Sequence, residues 1–178
     1  MTVSEKYAYM RAYARVSGGK LGVLWIVSFA LFVCSFRYPF CGFLWIATLV
    51  FTPFYVAMLT DSYSQKLPEK CISYRHAYAH SVLTVFYASL IMAICQWAYF
   101  QFFDHGSLIN NYTSFLTDKE NMKMMEALGY TKSMIRQITD MLHSLRPIDM
   151  ALQLLWTNVM AGFFISLTTA LYVSFRHH

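Results

Sequence analysis

Long apolar stretches separated by polar segments dominate this chain. Four stretches contain no Asp, Glu, Lys or Arg, and they cover residues 21–36, 40–59, 79–103 and 150–175. A helix of about 20 apolar residues is long enough to cross the hydrocarbon core of a bilayer. The first stretch is shorter, but flanking basic side chains extend its effective length by reaching toward the headgroups. The pattern therefore predicts an all-α integral membrane protein with four transmembrane helices in a single domain, residues 1–178.

The polar segments before and between these stretches predict further elements. Tyr38-Pro39 separates the first two stretches so closely that the two spans form a helical hairpin. Residues 1–19 are rich in tyrosine and basic residues, which is typical of an amphipathic helix on the membrane surface. Gly18-Gly19 is predicted to end that helix. The alternative for the same segment is an unstructured basic tail.

The 104–149 connection is too patterned to be an unstructured loop, and it predicts a helical cap. Thr117 followed by Glu120 fits a capping box, with Thr117 as the N-cap. Gly129 is placed to end the helix that follows. A second helix then starts near Thr131, with apolar residues at helical spacing on one face.

Composition narrows the class of protein. Hydrophobic residues make up 57% of the 178 residues and charged residues 13%, whereas soluble domains have about 45–50% and about 25%. These values exclude a disordered chain and argue against a soluble enzyme. The net charge of +5 does not form a basic stripe with interleaved aromatics, so no nucleic-acid partner is predicted.

The distribution of Lys and Arg predicts the orientation. Eight of them lie in segments that the four spans place on one side, and these are Lys6, Arg11, Arg15, Lys20, Lys66, Lys70, Arg75 and Arg176. The other side has Arg37 and five basic residues in 104–149, where six acidic residues accompany them. Because cytoplasmic loops carry the excess of Lys and Arg, both termini are predicted to be cytoplasmic and the cap extracytoplasmic.

No catalytic or cofactor site is predicted. The chain has no phosphate-binding loop, no charge inside a span, and no nucleophile–base pattern. His76 and His80 are four residues apart and could share a metal, but no third ligand lies near them in sequence. The methionines of the cap follow its apolar face, so packing is favoured over copper binding. Cys34 and Cys41 fall near one membrane face, and the sequence leaves their pairing open.

Two sets of residues are candidates for contacts. Small and polar residues recur every four positions in the fourth stretch, a spacing that lets membrane helices approach closely. This predicted helix-packing seam consists of Gln96, Asn158, Gly162, Ser166 and Ala170. Aromatic and basic residues at the cytoplasmic rim are candidates for contact with a partner protein or a lipid headgroup. They are Arg11, Arg15, Tyr74, Arg75 and His76.

Several short motifs resemble a known family. They are ISYRHAY at 72–78, NY at 111–112, MEALGYT at 125–131 and RP at 146–147, placed around a tight first hairpin. In this order they resemble the domain of unknown function 4199 family, small inner-membrane proteins of Bacteroidota. The resemblance implies a multi-pass protein of the bacterial inner membrane. It also implies a neighbouring partner, since family members are often encoded near a family-2 membrane glycosyltransferase.

Two functional hypotheses follow. The first is a non-catalytic inner-membrane subunit that binds or positions a membrane glycosyltransferase or a similar envelope-biogenesis enzyme. The second is a lipid-linked sugar carrier or flippase of the GtrA-like type, which could act as a homo-oligomer. This hypothesis predicts a polar groove involving Gln96, Asn158 and Ser166. Because no charged residue lies within a span, the sequence favours the subunit over the carrier.

Overall fold

The computed structural model describes residues 3–67 and 72–176, with the side chain of Val3 excluded. Within these ranges the chain forms seven α-helices and no β-strand. The helices are α1 (Val3–Ser35), α2 (Pro39–Ser64), α3 (Tyr74–Phe102), α4 (Ser107–Thr117), α5 (Lys119–Ala127), α6 (Lys132–Ser144) and α7 (Pro147–Arg176). Four of them, α1, α2, α3 and α7, are long and apolar enough to cross a membrane. The predicted all-α fold with four spans is confirmed.

The helices belong to two compact units. Unit 1 contains residues 1–95 and 153–178, and unit 2 contains residues 96–152. Lys70, which the sequence-based orientation counts, lies outside the described residues, as do the first two residues of the chain.

The α1–α2 hairpin has the short connection that the sequence predicts, residues 36–38. Pro39 occupies the first turn of α2, where its missing N–H costs no intrahelical hydrogen bond. The two helices are joined by side chains as well. Ser28 and Thr48 share a hydrogen bond of 2.6 Å, and Trp25 Nε1 donates to Thr52 Oγ1 at 3.3 Å. These polar contacts fix the register of the hairpin where there is no water to compete for them.

The predicted break at Gly18-Gly19 is wrong. Helix α1 continues from Val3 to Ser35 without interruption, so residues 3–19 are helical but do not form a separate surface helix. The physical reason is packing. Gly18 is buried, and a Cβ built on it would lie 2.6 Å from Tyr87 Cβ and 2.9 Å from the Thr84 carbonyl oxygen of α3. The absent side chain lets the two backbones approach, and it does not end the helix.

Buried side chains of unit 1 form two clusters along the bundle. The first is Met10, Tyr63, Leu67, Ile72, Ala77, Ala170 and Val173, contributed by all four long helices and the segments beside them. The second is Leu21, Val56, Leu59, Val85 and Ala88. Because lipid tails are as apolar as these side chains, the close fit of the helices stabilises the bundle more than removal from solvent does.

Unit 2 contains the helical cap, and it has one more helix than the sequence predicts. Helix α4 is the addition, and it changes the role of Thr117. Thr117 is the last residue of α4, its hydroxyl donates to the Thr113 carbonyl at 2.8 Å, and Asp118 precedes α5 as the N-cap. The predicted capping box at Thr117 and Glu120 is therefore wrong. Only Asp118 lies between the end of α4 and the start of α5, so Asp118 and not Thr117 occupies the N-cap position of α5.

The turn between α5 and α6 follows the sequence prediction closely. Gly129 has a φ of +92°, and the Tyr130 and Gly129 N–H groups donate to the Met125 and Glu126 carbonyls at 3.0 Å each. This pair of bonds is the Schellman motif that ends a helix at a glycine. Thr131 then caps α6 by accepting a hydrogen bond from the Met134 N–H at 3.3 Å. The predicted end at Gly129 and the start near Thr131 are both confirmed.

Candidate functional site

The start of α1, the end of α2, the start of α3 and the end of α7 meet at one end of unit 1. We call this the basic end, because it displays six basic residues, Lys6, Arg11, Arg15, Lys66, Arg75 and Arg176. All except the half-buried Lys6 are exposed. The described acidic residues here are the exposed Glu5 and the half-buried Asp61, and Asp61 pairs with Arg176 at 3.8 Å. The basic end therefore has a clear excess of positive charge.

Tyr63 lies at the centre of the basic end and is fully buried. Its hydroxyl and His76 Nε2 are 3.1 Å apart and form a hydrogen bond from α2 to α3. Its ring is stacked on the ring of His80, with centroids 4.3 Å apart and planes 3° from parallel. Tyr63 thus fixes the first two turns of α3 against the last turn of α2.

His80 is also fully buried, and the hydroxyl of Thr60 on α2 contacts its ring. Its Nδ1 lies 3.3 Å from Thr60 Oγ1, and that hydroxyl is 2.9 Å from Ser81 Oγ. His80 Nε2 has no hydrogen-bond partner within the described part of the chain. With its ring stacked on Tyr63, this histidine acts as a packing residue that links α2 and α3.

Three tyrosines of α1 complete the aromatic cluster. Tyr7 stacks on His76 at 5.8 Å between centroids, and Tyr13 contacts Tyr63 at 5.4 Å. Tyr9 stacks on Tyr63 at 6.1 Å. Pairs of this kind contribute about 0.5–1.5 kcal/mol each beyond the area they bury. The start of α1 is therefore packed into the bundle, and this packing orders the backbone that carries the nearby basic residues.

A lysine lies above this cluster. Lys66 Nζ is 5.1 Å from the centroid of the Tyr13 ring, which is within the range of a cation–π interaction. The contact holds one ammonium group in a defined place at the surface of the basic end.

The five residues predicted to contact a partner lie at the basic end but differ in exposure. Arg11, Arg15 and Arg75 are exposed, whereas Tyr74 and His76 are half-buried. Tyr74 stacks on Tyr78 at 6.3 Å, and His76 is held by Tyr63. The arginines are therefore the groups that a partner can reach, whereas His76 is packed against Tyr63.

Three residues of the predicted seam, Gly162, Ser166 and Ala170, are buried on one face of α7. A Cβ built on Gly162 would lie 3.1 Å from Val85 Cβ of α3, and it would overlap with Val85 Cγ1. Asn158 is half-buried, whereas Gln96 is a buried residue of unit 2, whose Oε1 has no partner among the described residues.

A second face of small residues was missed at the sequence level. Ala14, Gly18 and Gly22 are four residues apart and all buried, and a Cβ on Gly22 would lie 3.2 Å from the Ile91 side chain of α3. The four-residue spacing of small residues is the signal that identifies such a face. Gly18 belongs to this spacing, although it was predicted to end the helix.

Metal-binding groups are not brought together in the part of the chain that the structure describes. It contains no group of three His, Cys, Asp or Glu residues with the geometry to hold a metal ion. His76 and His80 both contact Tyr63. Cys34, Cys41 and Cys95 have free thiols.

Comparison with known proteins identifies the family. The family described as "Protein of unknown function (DUF4199)" matches residues 17–174, so the chain belongs to it. Neither a curated protein nor a solved structure gives a significant match. The match covers the cap and most of the four long helices, and it begins at residue 17 within α1, after Tyr7, Tyr9 and Tyr13.

Proposed function

We propose that this member of the DUF4199 family is a non-catalytic inner-membrane subunit, which binds and positions a membrane glycosyltransferase or a similar envelope-biogenesis enzyme. One observation carries the proposal. Arg11, Arg15 and Arg75 are exposed, and they belong to the same helix starts, those of α1 and α3, that the packed aromatic rings hold together. Basic side chains on well-ordered helices are suited to recognising an acidic surface of a second protein.

Both the charge and the ordered packing of the basic end favour binding of a partner. Complementary charges speed association and select between partners. Arginine is enriched at protein interfaces, since its planar group forms two hydrogen bonds with one carboxylate. Binding also costs the freedom of the side chains and segments that become ordered. Because Tyr63 and its neighbours already order the start of α1 and of α3, that part of the cost is small here.

The class of the partner rests on the family resemblance. An enzyme that extends or transfers lipid-linked sugars works at the membrane surface, where the basic end of a four-span protein would reach it. The absence of any charged residue within the four apolar stretches of the sequence is in keeping with a positioning role rather than chemistry.

The proposed orientation places both termini in the cytoplasm and the cap outside. Its support is the excess of Lys and Arg around the basic end, as the positive-inside rule requires. A reporter that is active only in the cytoplasm, fused after His178, should be active, whereas the same reporter inserted at Gly129 should be silent. The reverse pattern would overturn the orientation.

Charge reversal at the basic end tests the proposed interaction. The variant Arg11→Glu, Arg15→Glu, Arg75→Glu is expected to lose the partner enzyme at least about tenfold relative to the natural sequence. Reversed charges at a complementary surface turn attraction into repulsion. The measurement is purification in a gentle detergent from cells that express the native operon, with the co-purified proteins quantified by mass spectrometry.

A matched control comes from unit 2. Lys119, Lys123 and Arg136 are exposed basic residues of the cap, so reversing these three makes the same change in net charge without altering any residue of the basic end. This control should retain the enzyme. Recovery of the natural protein alone, or only with further copies of itself, would refute the subunit role. Equal retention by both triple variants would refute the assignment to the basic end.

The carrier alternative has weaker support. It requires a polar groove involving Gln96, Asn158 and Ser166, and the groove that the structure describes between α2 and α7 is lined by none of the three. The subunit role therefore remains the proposal that the geometry of the basic end supports best.

A further inference from the structure

A groove runs between α2 and α7 on the side of unit 1. Its volume is about 660 Å³. Its α2 wall is apolar and is formed by Phe54, Ala57 and Met58, and Thr169 and Tyr172 lie on the α7 wall. Both helices are candidate membrane spans by length and apolar composition, so a molecule in the groove would lie between two such spans.

One end of the groove is charged. Arg176 Nη1 lies 3.8 Å from Asp61 Oδ2 and 3.5 Å from the Tyr172 hydroxyl, to which it donates. All three residues line the groove. The Arg176 side chain is 57% exposed, whereas that of Asp61 is 13% exposed. The groove therefore combines an apolar wall with one cation and one anion at its end.

Thr169 provides a second, independent sign of a ligand. It lines the groove and is only 3% exposed, and its Oγ1 has no hydrogen-bond partner within the described residues. A buried hydroxyl without a partner costs about 1–3 kcal/mol. Thr169 is two turns of α7 from Arg176, whose side chain reaches back by one turn to Tyr172. A ligand with an acceptor next to its phosphate would satisfy the hydroxyl once the side chain turns toward the groove, since the Oγ1 atom is itself buried.

We propose that this groove binds one glycerophospholipid with an ethanolamine headgroup. The acyl chain lies against Phe54, Ala57 and Met58. The phosphate accepts hydrogen bonds from Arg176, the ammonium donates to Asp61, and an ester carbonyl accepts from Thr169. The inference does not rest on the proposed subunit role.

Charge complementarity selects this headgroup. Arg176 and Asp61 carry opposite unit charges, which matches a phosphate and an ammonium on the same ligand. An anionic glycerol headgroup would place a phosphate beside Asp61 without an ammonium to compensate it. A choline headgroup carries the positive charge but has no N–H to donate, so it loses the charge-assisted hydrogen bond to the carboxylate.

Native mass spectrometry of the full chain in a mild detergent tests the proposal. The protein is titrated separately with dioleoyl phosphatidylethanolamine, phosphatidylglycerol and phosphatidylcholine. We expect one bound phosphatidylethanolamine, with an affinity about tenfold above that of either other lipid. The variant Asp61→Asn should remove that preference. Equal binding of the three lipids, or tighter binding of phosphatidylglycerol, would overturn the headgroup assignment.

Filling the groove with a larger side chain tests the location of the lipid site. Ala57→Phe places a ring in the groove and should reduce phosphatidylethanolamine binding at least tenfold. Ala47→Phe is the matched control, because Ala47 is an exposed alanine of the same helix outside the groove, and it should bind normally. Equal binding by the two variants would overturn the site.

A milder variant keeps the test decisive if Ala57→Phe fails to fold. Thr169→Val preserves the shape of the side chain and removes the hydroxyl. It should weaken phosphatidylethanolamine binding several-fold, while the melting temperature of the lipid-free protein does not fall. Unchanged lipid affinity in this variant would refute the role of Thr169. A second copy of the chain seated in the groove would appear as a dimer and would also overturn the proposal.

Discussion

Replacing Gly18 by alanine should destabilise the bundle by about 1–3 kcal/mol, the usual cost of overpacking a close contact. The new Cβ would lie 2.6 Å from Tyr87 Cβ and 2.9 Å from the Thr84 carbonyl oxygen. Neither contact involves the end of a flexible side chain, so α1 and α3 must move apart. Their separation would also disturb the contact between Gly22 and Ile91 one turn further along α1.

The adjacent glycine provides a matched control with the opposite sign. A Cβ built on Gly19 has nothing within 4 Å. Gly19→Ala should therefore stabilise the protein by up to about 1 kcal/mol, because alanine favours the helix more than glycine does. The free energy of unfolding, measured for both variants in the same detergent, checks the pair. Equal effects of the two substitutions would contradict the close packing of α1 on α3.

Replacing Tyr63 by alanine should cost about 3–5 kcal/mol, as expected for truncation of a buried aromatic side chain. The change removes the stacking on His80, the hydrogen bond to His76 and the contact with Tyr13. Because these contacts order the start of α1 and of α3, the variant should also retain less of the partner enzyme. The loss should occur even though every arginine of the basic end is still present.

Two further variants separate the contributions of Tyr63. Tyr63→Phe keeps the ring and removes only the hydrogen bond to His76, so it should cost about 1 kcal/mol. Phe43→Ala truncates an aromatic residue of the same helix that is 72% exposed, and it should have little effect. Thermal unfolding in detergent distinguishes the three. A Tyr63→Ala variant as stable as Phe43→Ala would show that the aromatic cluster does not stabilise the basic end.

The spans were predictable because the rule behind them is simple. A charged residue inside a bilayer is costly, so charge-free runs of sufficient length mark the membrane helices. This reasoning identified α2 well, although the helix continues to Ser64, beyond the predicted end at residue 59. It does not locate the helix ends, because the helices continue past the apolar stretches into segments that contain polar residues. Tyr63, for example, lies in α2 beyond the predicted end of the span.

The continuity of α1 was not predictable from Gly18-Gly19 alone. Glycine both ends helices and allows them to pack closely, and only the position of the partner helix decides between these roles. Helix α4 was missed for a related reason. Gly106, with a φ of +79°, is its N-cap, and Asp104 Oδ1 accepts a hydrogen bond from the Leu108 N–H at 3.0 Å. An acidic residue followed closely by a glycine also occurs in ordinary loops.

The candidate site was predictable in part. Charge counting located the basic residues, and Arg11, Arg15 and Arg75 are indeed exposed. It did not identify Tyr63, because the partners of Tyr63 are distant in sequence, with His76 13 residues away. The groove between α2 and α7 was not predictable either, since it depends on how two apolar helices diverge. The positions of the Tyr63 contacts and of the groove therefore had to come from the structure.

The most direct test of the proposed subunit role is crosslinking in living cells. A photo-reactive amino acid is placed at Arg75 in the basic end and, as a control, at Lys123 in the cap, since both side chains are exposed. Crosslinked products are identified by mass spectrometry after brief illumination. The account predicts that position 75 captures a membrane glycosyltransferase or another envelope-biogenesis enzyme and that position 123 does not. Capture of that enzyme only from position 123, or of no enzyme from position 75, would contradict it.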